Sequence, residues 1–444
     1  MLMSSVPKIF SGPHQAQAPR FTCLADWLAW QESLHFTAIE LGLDRCNRVA
    51  RRMGLLKPDS KVISISGTNG KGSSAAMLDT MLRHSGYRVG AYTSPHLTRY
   101  NERICIDGKQ VTDEQLCHSF ERIDRARGDI SLTYFEFGTL AALDIFQRAD
   151  LDIAILEVGL GGRLDAVNIL DADIALVVTI DLDHEKWLGY TREAIGREKA
   201  GIFRRRQPAI CSDPAAPASI ADCAREADAL LYQAGRDFTC AINADTWTWR
   251  GSGTVYEGLP KPGINNDRQV QNAAGVLMVL ETLADEFPVN LETVKACLRD
   301  FRLAGRFQVV PGKTPCILDV AHNRQAVSAL VENVRKIPKV GETHIVIGML
   351  KDKNHGAVFE QLAEIADYWY LAELQEDRAA GLGELTGALG RYEDVGKIKQ
   401  FKTVREALSE AEASARMGDR IIVTGSFVTV GAAIDHLECN WGRN

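Results

Sequence analysis

Val62-Ile63-Ser64-Ile65-Ser66-Gly67-Thr68-Asn69-Gly70-Lys71-Gly72-Ser73-Ser74 decides how the rest of the chain is read. An apolar, β-branched run ends in a glycine-rich turn. The turn feeds Ala75-Ala76-Met77-Leu78-Asp79-Thr80-Met81-Leu82, which reads as a helix. Strand, glycine turn with Lys-Gly-Ser, then helix is the arrangement that cradles a polyphosphate. The glycines let backbone N–H groups approach the anion, and the helix N-terminus adds partial positive charge. Lys71 is placed to reach the β- and γ-phosphates, and Ser73 to serve a phosphate or Mg²⁺. The spacing departs from the usual G-x-x-x-x-G-K-[ST]: one residue is missing before Gly70-Lys71, and Gly72 follows the lysine. The plainer alternative is a tight βα turn with a solvated lysine, and the strand-to-helix context argues against it.

Outward from this loop the pattern is strand and helix in alternation. Helices are expected over 27–36 and 44–53, and residues 1–20 as a loose arm. Arg88 to Ser94 reads as a second strand, stopped by Pro95-His96. A polar hairpin over Glu102 to Val111 turns at Asp107-Gly108. Asp113–Arg127 and Tyr134–Arg148 are helical by period. Asp152 to Glu157 and Asp173 to Ile180 are continuous apolar strands, the second running into Asp181-Leu182-Asp183-His184. Thr191 to Phe203 is a helix, 205–260 is mixed, and Asn272 to Leu283 and Leu291 to Asp300 are helices. Beyond Phe301 the alternation restarts, with strands at 315–323, 344–350 and 420–426. Unbroken apolar strands between helices predict an α/β fold with a mostly parallel sheet covered on both faces. The expected organisation is an N-terminal P-loop NTPase-like domain over 1–300 and a linker over 301–306. A smaller, Rossmann-like α/β domain over 307–444 follows.

At 444 residues the chain is long for one core. With 45% hydrophobic and 25% charged residues it has a globular composition, and a net charge of −7 argues against a nucleic-acid surface. Its ten cysteines form no C-x-x-C pair. Those in apolar runs, such as Cys105, Cys211 and Cys316, read as reduced thiols of a cytoplasmic protein. No apolar run is long enough for a membrane span, and the N-terminus lacks a signal-peptide core. No coiled-coil heptad is visible, which favours a monomer.

In parallel sheets ligands bind beyond the carboxyl ends of the strands. The loop, Ser94, Glu157 and His184 all fall there. Glu157 is the kind of strand-end carboxylate that holds Mg²⁺ or an attacking group in nucleotide sites. The glycines of Gly159-Leu160-Gly161-Gly162-Arg163 let a ligand come close, and Arg163 can pair with an anion. His184 follows two aspartates and can ligate a metal or shuttle protons. A Glu/His pair without cysteine suits Mg²⁺ or Mn²⁺ better than structural zinc. Lys199, Arg306 and Asp319 are unremarked by spacing, although Arg306 sits at the domain junction. The residues alone point to an ATP- and Mg²⁺-using enzyme, a kinase or an ATP-dependent ligase, with a second domain closing over the cleft.

Longer blocks carry a resemblance. Gly67 to Ser73, Thr93-Ser94-Pro95-His96-Leu97, Leu132 to Phe137, Leu156 to Asp165, Leu182-Asp183-His184 and Gly196 to Phe203 recur in order, as do Gly305-Arg306-Phe307, Asp319 to Asn323 and Gly425-Ser426-Phe427. The set resembles the folate branch of the Mur ligase superfamily, the dihydrofolate synthase/folylpolyglutamate synthases, and among them the bifunctional bacterial enzymes. Family members activate a carboxylate with ATP to an acyl phosphate, which the amine of glutamate then attacks.

The resemblance implies a role for each matching residue. Thr68, Asn69, Gly70, Lys71, Gly72 and Ser73 hold ATP phosphates, with further nucleotide contacts from Asn272, Arg306 and Asp319. Ser94, Glu157 and His184 are Mg²⁺ ligands. Lys199 matches a lysine carbamylated by CO₂ that binds a second Mg²⁺, and His322 lies near the acyl phosphate. Thr133, Tyr134, Phe135 and Glu136, with Leu164, Asp165 and Ala166, contact dihydropteroate. Ser33, Leu34, His35 and Phe36 match more loosely. Lys71, His184, Lys199 and His322 form the implied catalytic set. The implied small-molecule partners are 7,8-dihydropteroate, tetrahydrofolates, L-glutamate and ATP. Arg324 stands where the family commonly has proline. The alternative within the class is a folylpolyglutamate synthase without dihydropteroate activity. A peptidoglycan ligase would need about a hundred further residues ahead of the loop. A non-catalytic nucleotide-binding scaffold need not retain Ser94, Glu157, His184 and Lys199 together.

Overall fold

The structure is a computed structural model, and it describes residues 19–35, 37, 39–263, 267–392 and 397–441. Phe36, expected at the substrate site, and nearly all of the expected N-terminal arm lie outside the described residues.

The strand Lys61–Ser66 that opens the phosphate loop lies deep inside an eight-stranded sheet. In spatial order the strands are Lys109–Gln110, Ile104–Ile106, Val89–Tyr92, Ile153–Glu157, Lys61–Ser66, Ile174–Val177, Pro208–Cys211 and Leu230–Gln233. The six from Val89–Tyr92 onward are mutually parallel. The hairpin 104–110 adds an antiparallel edge, and both its turn residues, Asp107 and Gly108, have positive φ. Lys61–Ser66 alternates across the sheet. Ile63 and Ile65 enter the core beneath the helices Lys71–His84 and Asp267–Leu283. Val62 enters the opposite core, under the helices Leu24–Leu34, Asp44–Met53, Asp113–Arg127 and Tyr134–Gln147. The small Ser66 on that face donates its hydroxyl to the Gly161 carbonyl at 2.6 Å. That bond ties the loop strand to the glycine turn after Glu157.

A three-stranded antiparallel sheet, Thr239–Ile242, Thr246–Arg250 and Val255–Pro260, occupies the mixed region and buries Trp247 and Trp249. Helix Leu291–Asp300 closes this half. The second half is a six-stranded sheet in the order Gln308–Val310, Cys316–Leu318, Arg420–Thr424, Thr343–Ile347, Tyr368–Ala372 and Lys397–Phe401. It is parallel except for its first strand. Its two faces carry separate cores. The chain between the halves, 301–307, has positive φ at Gly305 and Phe307. Asp319 fixes its exit by accepting the Phe307 and Ala321 N–H groups, both at 2.9 Å.

Several element boundaries differ from expectation; the strands read over 173–180 and 315–323, for example, span Ile174–Val177 and Cys316–Leu318. The first helix is Leu24–Leu34, because His35 is already extended. The helix expected from Asn272 starts at Asp267, a turn earlier. Arg324 is the first residue of the helix Arg324–Lys336, with Asn323 as its cap accepting the Ala326 N–H. Proline and arginine are equally compatible with that first position, where the N–H has no helical acceptor. No helix among the described residues is long and apolar enough to cross a membrane.

Candidate active site

The loop from Gly67 to Ser73 is held from beneath and from both sides. A Cβ on Gly67 would fall 2.1 Å from a Val178 methyl, so the turn closes onto the neighbouring strand only with glycine there. Thr68 donates its N–H to the Thr179 carbonyl at 2.7 Å and its hydroxyl to the Asp181 carbonyl at 3.0 Å. Gly70, at φ 97°, lies under the Asn272 amide, which a Cβ would meet at 2.4 Å. Asn272 is thereby seated on the loop. Gln269, one helical turn earlier, donates to the Ser73 hydroxyl at 3.2 Å. Lys71 folds back onto the Gly67 and Thr68 carbonyls at 3.0 and 3.4 Å.

Glu157 pairs in register with Ile65, two residues before Gly67, so its carboxylate stands beside the loop. It is 4% exposed and accepts the Ser94 N–H at 3.2 Å. Burial raises its pKa, and the charges of Lys71 and Arg306 oppose that rise. Gly72 keeps the space in front of it clear, with the Glu157 carboxylate 3.6 Å from where a Cβ would be. Arg306, half-buried, lies over the Phe427 ring at 5.0 Å.

Lys199 is 3% exposed near the end of the helix Arg192–Ala200. The glycine turn puts it there. Arg163 donates its N–H to the Glu198 carbonyl at 2.8 Å. A Cβ on Gly162 would sit 2.7 Å from the carbonyls of Glu198 and Lys199. Burial and then the charge of Lys71 lower the amine to about 7. It has no hydrogen-bond or ion-pair partner among the described residues. The Arg163 side chain turns away instead, pairing with Glu198 at 2.9 Å in a largely exposed position, so the expected anion partner is not in the cleft.

His184 adopts φ 51°, and burial followed by the Lys353 charge lowers it to about 4, leaving its imidazole neutral. Asp183 beside it is the hub that sequence reading passed over. It accepts from Lys353 at 2.8 Å and from the Asn323 amide at 3.0 Å, and lies 3.8 Å from His322 Nε2. Burial works to raise its pKa, but the nearby His322 imidazole and the Lys353 charge outweigh that and hold it well below the ordinary carboxylate range. His322 donates its Nδ1–H to the Val320 carbonyl at 2.8 Å. Lys353, Asn323 and His322 belong to connecting segments of the second half, which therefore roofs the loop. Among the described residues no three His, Cys, Asp or Glu side chains form a metal cage. A divalent ion here would take Glu157, the His184 imidazole and the Ser94 hydroxyl together with phosphate oxygens. The buried, under-satisfied Glu157 and the neutral His184 fit that role.

The expected acceptor segments meet around the helix Asp44–Met53. Thr133 caps the helix Tyr134–Gln147 in a reciprocal box with Glu136. Glu136 is paired with Arg45 at 3.3 Å. Phe135 lies across Gly159, where a Cβ would come within 2.6 Å of its ring, and Tyr134 packs edge-on to Tyr100. Asp165 is buried and receives the Leu160 and Val167 N–H groups at 2.8 and 2.9 Å, with burial raising it to about 6. Leu164 bonds through its carbonyl to the Gly42 N–H at 3.2 Å, and Ala166 is buried. Among the described residues of the first segment, His35 joins in through Ser131 at 2.7 Å and Glu40 at 2.6 Å. Leu34 contributes its carbonyl to Ser131, while exposed Ser33 bonds back to Trp30. The chain that borders the other two segments is thus 40–45, a stretch with no motif of its own to announce it.

A parallel-sheet nucleotide half, a smaller parallel-sheet half roofing it and a buried lysine beside the loop define a Mur-type ligase. Residues 305–427 match the family described as Mur ligase, glutamate ligase domain. The dihydrofolate synthase/folylpolyglutamate synthase of Escherichia coli (strain K12) is 43% identical over 424 residues, 96% of this chain and 97% of that protein. E. coli FolC in complex with DHPP and ADP is 42% identical, with a TM-score of 0.89 over 95% of this chain and 99% of that one. A bifunctional folylpolyglutamate synthase/dihydrofolate synthase with Mn, AMPPNP and L-glutamate bound is 44% identical, with a TM-score of 0.86 over 94% and 98%. The chain belongs to the dihydrofolate synthase/folylpolyglutamate synthase family of Mur ligases.

Proposed function

We propose that the chain is an ATP-dependent ligase that adds L-glutamate to 7,8-dihydropteroate, giving dihydrofolate, and to reduced folates, extending their glutamate tails. The observation that carries this is the buried charge cluster at one set of strand ends: Lys71, Glu157 and the unpartnered Lys199, roofed by Asp183 and its C-terminal contacts. Such a site neutralises a transferring phosphoryl and excludes the water that would hydrolyse an acyl phosphate.

In this reading Thr68 to Ser73, Asn272 and Asp319 hold ATP, and Lys71 and Arg306 balance the charge on the phosphoryl in flight. Mg²⁺, when bound, would supply positive charge that stabilises the transferring phosphoryl. Ser94, Glu157 and His184 would hold one ion. A neutral Lys199 amine can attack CO₂, forming an N–C bond and releasing one proton, and the carbamate then serves a second ion. An amine at about 7 has the neutral fraction this needs. His322, with its Nδ1 proton committed to Val320, offers Nε2 toward the acyl phosphate. The segments 133–136 and 164–166 hold the acceptor, joined by His35 and its neighbours up to Arg45. The protein acts as a cytoplasmic monomer of two domains, 1–300 and 307–444, joined at 301–306.

The test is phosphate release with ATP, Mg²⁺ and L-glutamate, offering 7,8-dihydropteroate in one tube and tetrahydrofolate in another, with glutamylated product identified by mass. Product in both tubes is expected. Product with tetrahydrofolate alone would make this a folylpolyglutamate synthase only. Product in neither would overturn the reading.

A further inference from the structure

The phosphate loop is gripped from the second half by a chain of side-chain amides, and the chemistry of that chain fixes which way each amide points. Asp183 is only an acceptor when ionised, so the Asn323 group 3.0 Å from it is the NH₂. The Asn323 oxygen then accepts the Ala326 N–H at 3.0 Å as helix cap. Asn69 faces Asn323 in a reciprocal pair, Nδ2 to Oδ1 at 3.2 Å and Oδ1 from Nδ2 at 3.1 Å, so its orientation follows. Its second Nδ2 proton goes to the Gln325 oxygen at 2.6 Å. Gln325 Oε1 also lies 3.3 Å from the Thr179 hydroxyl, and Thr179 bonds the Asn69 carbonyl at 2.8 Å. Asn69 is therefore held on both protons of its amide by side chains at the start of the helix Arg324–Lys336 in the other half. The shape of the loop and the seating of the second half are one arrangement.

We propose that Gln325 is a positioning residue for nucleotide binding: by accepting from Asn69 it locks the phosphate loop in its binding shape when the C-terminal half is seated. The reverse coupling follows, since bound nucleotide that orders the loop also favours the seated half. This rests on the nucleotide role proposed for the loop. Gln325 itself lies at the start of the helix Arg324–Lys336 and touches no reacting group, so its effect passes through Asn69.

The experiment measures ADP affinity by calorimetry, and KM for ATP and kcat, in wild type, Q325M, N69A and the double variant. Methionine keeps the length of Gln325 and removes the acceptor. Wild type must bind ADP; if it does not, the nucleotide role fails and this inference with it. With wild type binding, Q325M is expected to weaken ADP and raise KM for ATP by roughly fivefold, the scale of one neutral hydrogen bond, with kcat held. In the N69A background the same substitution is expected to change nothing. Q325M binding ADP like wild type would overturn the proposal. So would an equal loss in the N69A background, or a loss confined to kcat. Should Q325M lower Tm, the comparison in the N69A background still decides, because a folding defect would persist there.

Discussion

Lys199 owes its chemistry to its surroundings. A lysine at about 7 is half neutral near physiological pH, whereas its ordinary value of 10.5 would leave almost none. Below about 7 the amine is protonated and cannot take CO₂. Activation by bicarbonate is therefore expected to fade as pH drops through 7, measured as glutamylation rate against bicarbonate at several pH values. Lys199→Ala should abolish ligation, by at least ~10²-fold, while Tm does not fall, because a buried amine without a partner leaves with it. Retained activity would remove the carbamate. No spacing signalled Lys199, because a lone helix lysine has no pattern; resemblance alone supplied it. Glu157 was legible, since an apolar strand ending on a carboxylate beside a glycine turn carries its meaning locally. Asp183 was not, because its partners at 323 and 353 are brought to it only by folding.

At the scale of elements, the glycine turn after Glu157 is a mould for the end of the helix that carries Lys199. Gly162→Ala would drive a Cβ against two backbone carbonyls at 2.7 Å. It is expected to cost roughly 1–3 kcal/mol and to lower Tm and activity together. Gly72→Ala, with its nearest neighbour at 3.6 Å, should keep the wild-type Tm. Thermal melts of both variants check the contrast. The loop after Ser94 depends on Glu102, which receives the N–H groups of Leu97, Thr98 and Arg99 at 2.7, 2.9 and 2.7 Å. Burial opposes ionisation of Glu102, but those bonds win and leave its pKa below the ordinary 4.5. A carboxyl lowered on folding stabilises above 4.5 and loses that contribution as pH falls through its folded value. Glu102→Gln should melt earlier at pH 7 and show a shallower acid decline, seen by Tm against pH. The central parallel strands were legible because fully buried strands are unbroken apolar runs, whereas Leu230–Gln233 and Lys397–Phe401, at the sheet edges and not fully buried, were not. The first helix was placed late in the sequence reading, because its ends, Cys23 and His35, carry no side-chain cap to mark them.

Across the whole molecule the two halves touch closely at Leu97 and Gly431. Leu97, three residues past Ser94, packs its carbonyl 2.0 Å from where a Cβ on Gly431 would be. Gly431→Ala should part the halves without touching the loop. Each half should keep its own unfolding transition while ligation falls and small-angle scattering reports a larger radius of gyration. An unchanged radius with full activity would mean the halves need no contact there. The division near residue 300 was legible because the strand–helix pattern restarts, whereas the contacts across it involve Asn69, Asn323 and Gln325, residues with no shared local signal. The junction itself has a practical consequence. Positive φ at Gly305 and Phe307, the Asp319 clamp and Arg306 all fall within one short crossing. Anyone grafting this C-terminal half onto a different nucleotide-binding half must cut before Phe301, not after Arg306, and must bring Asp319 along. One inserted residue would leave both halves folded and swing the guanidinium off the Phe427 ring. Tether length, which a protein engineer usually treats as free, is here part of the catalyst.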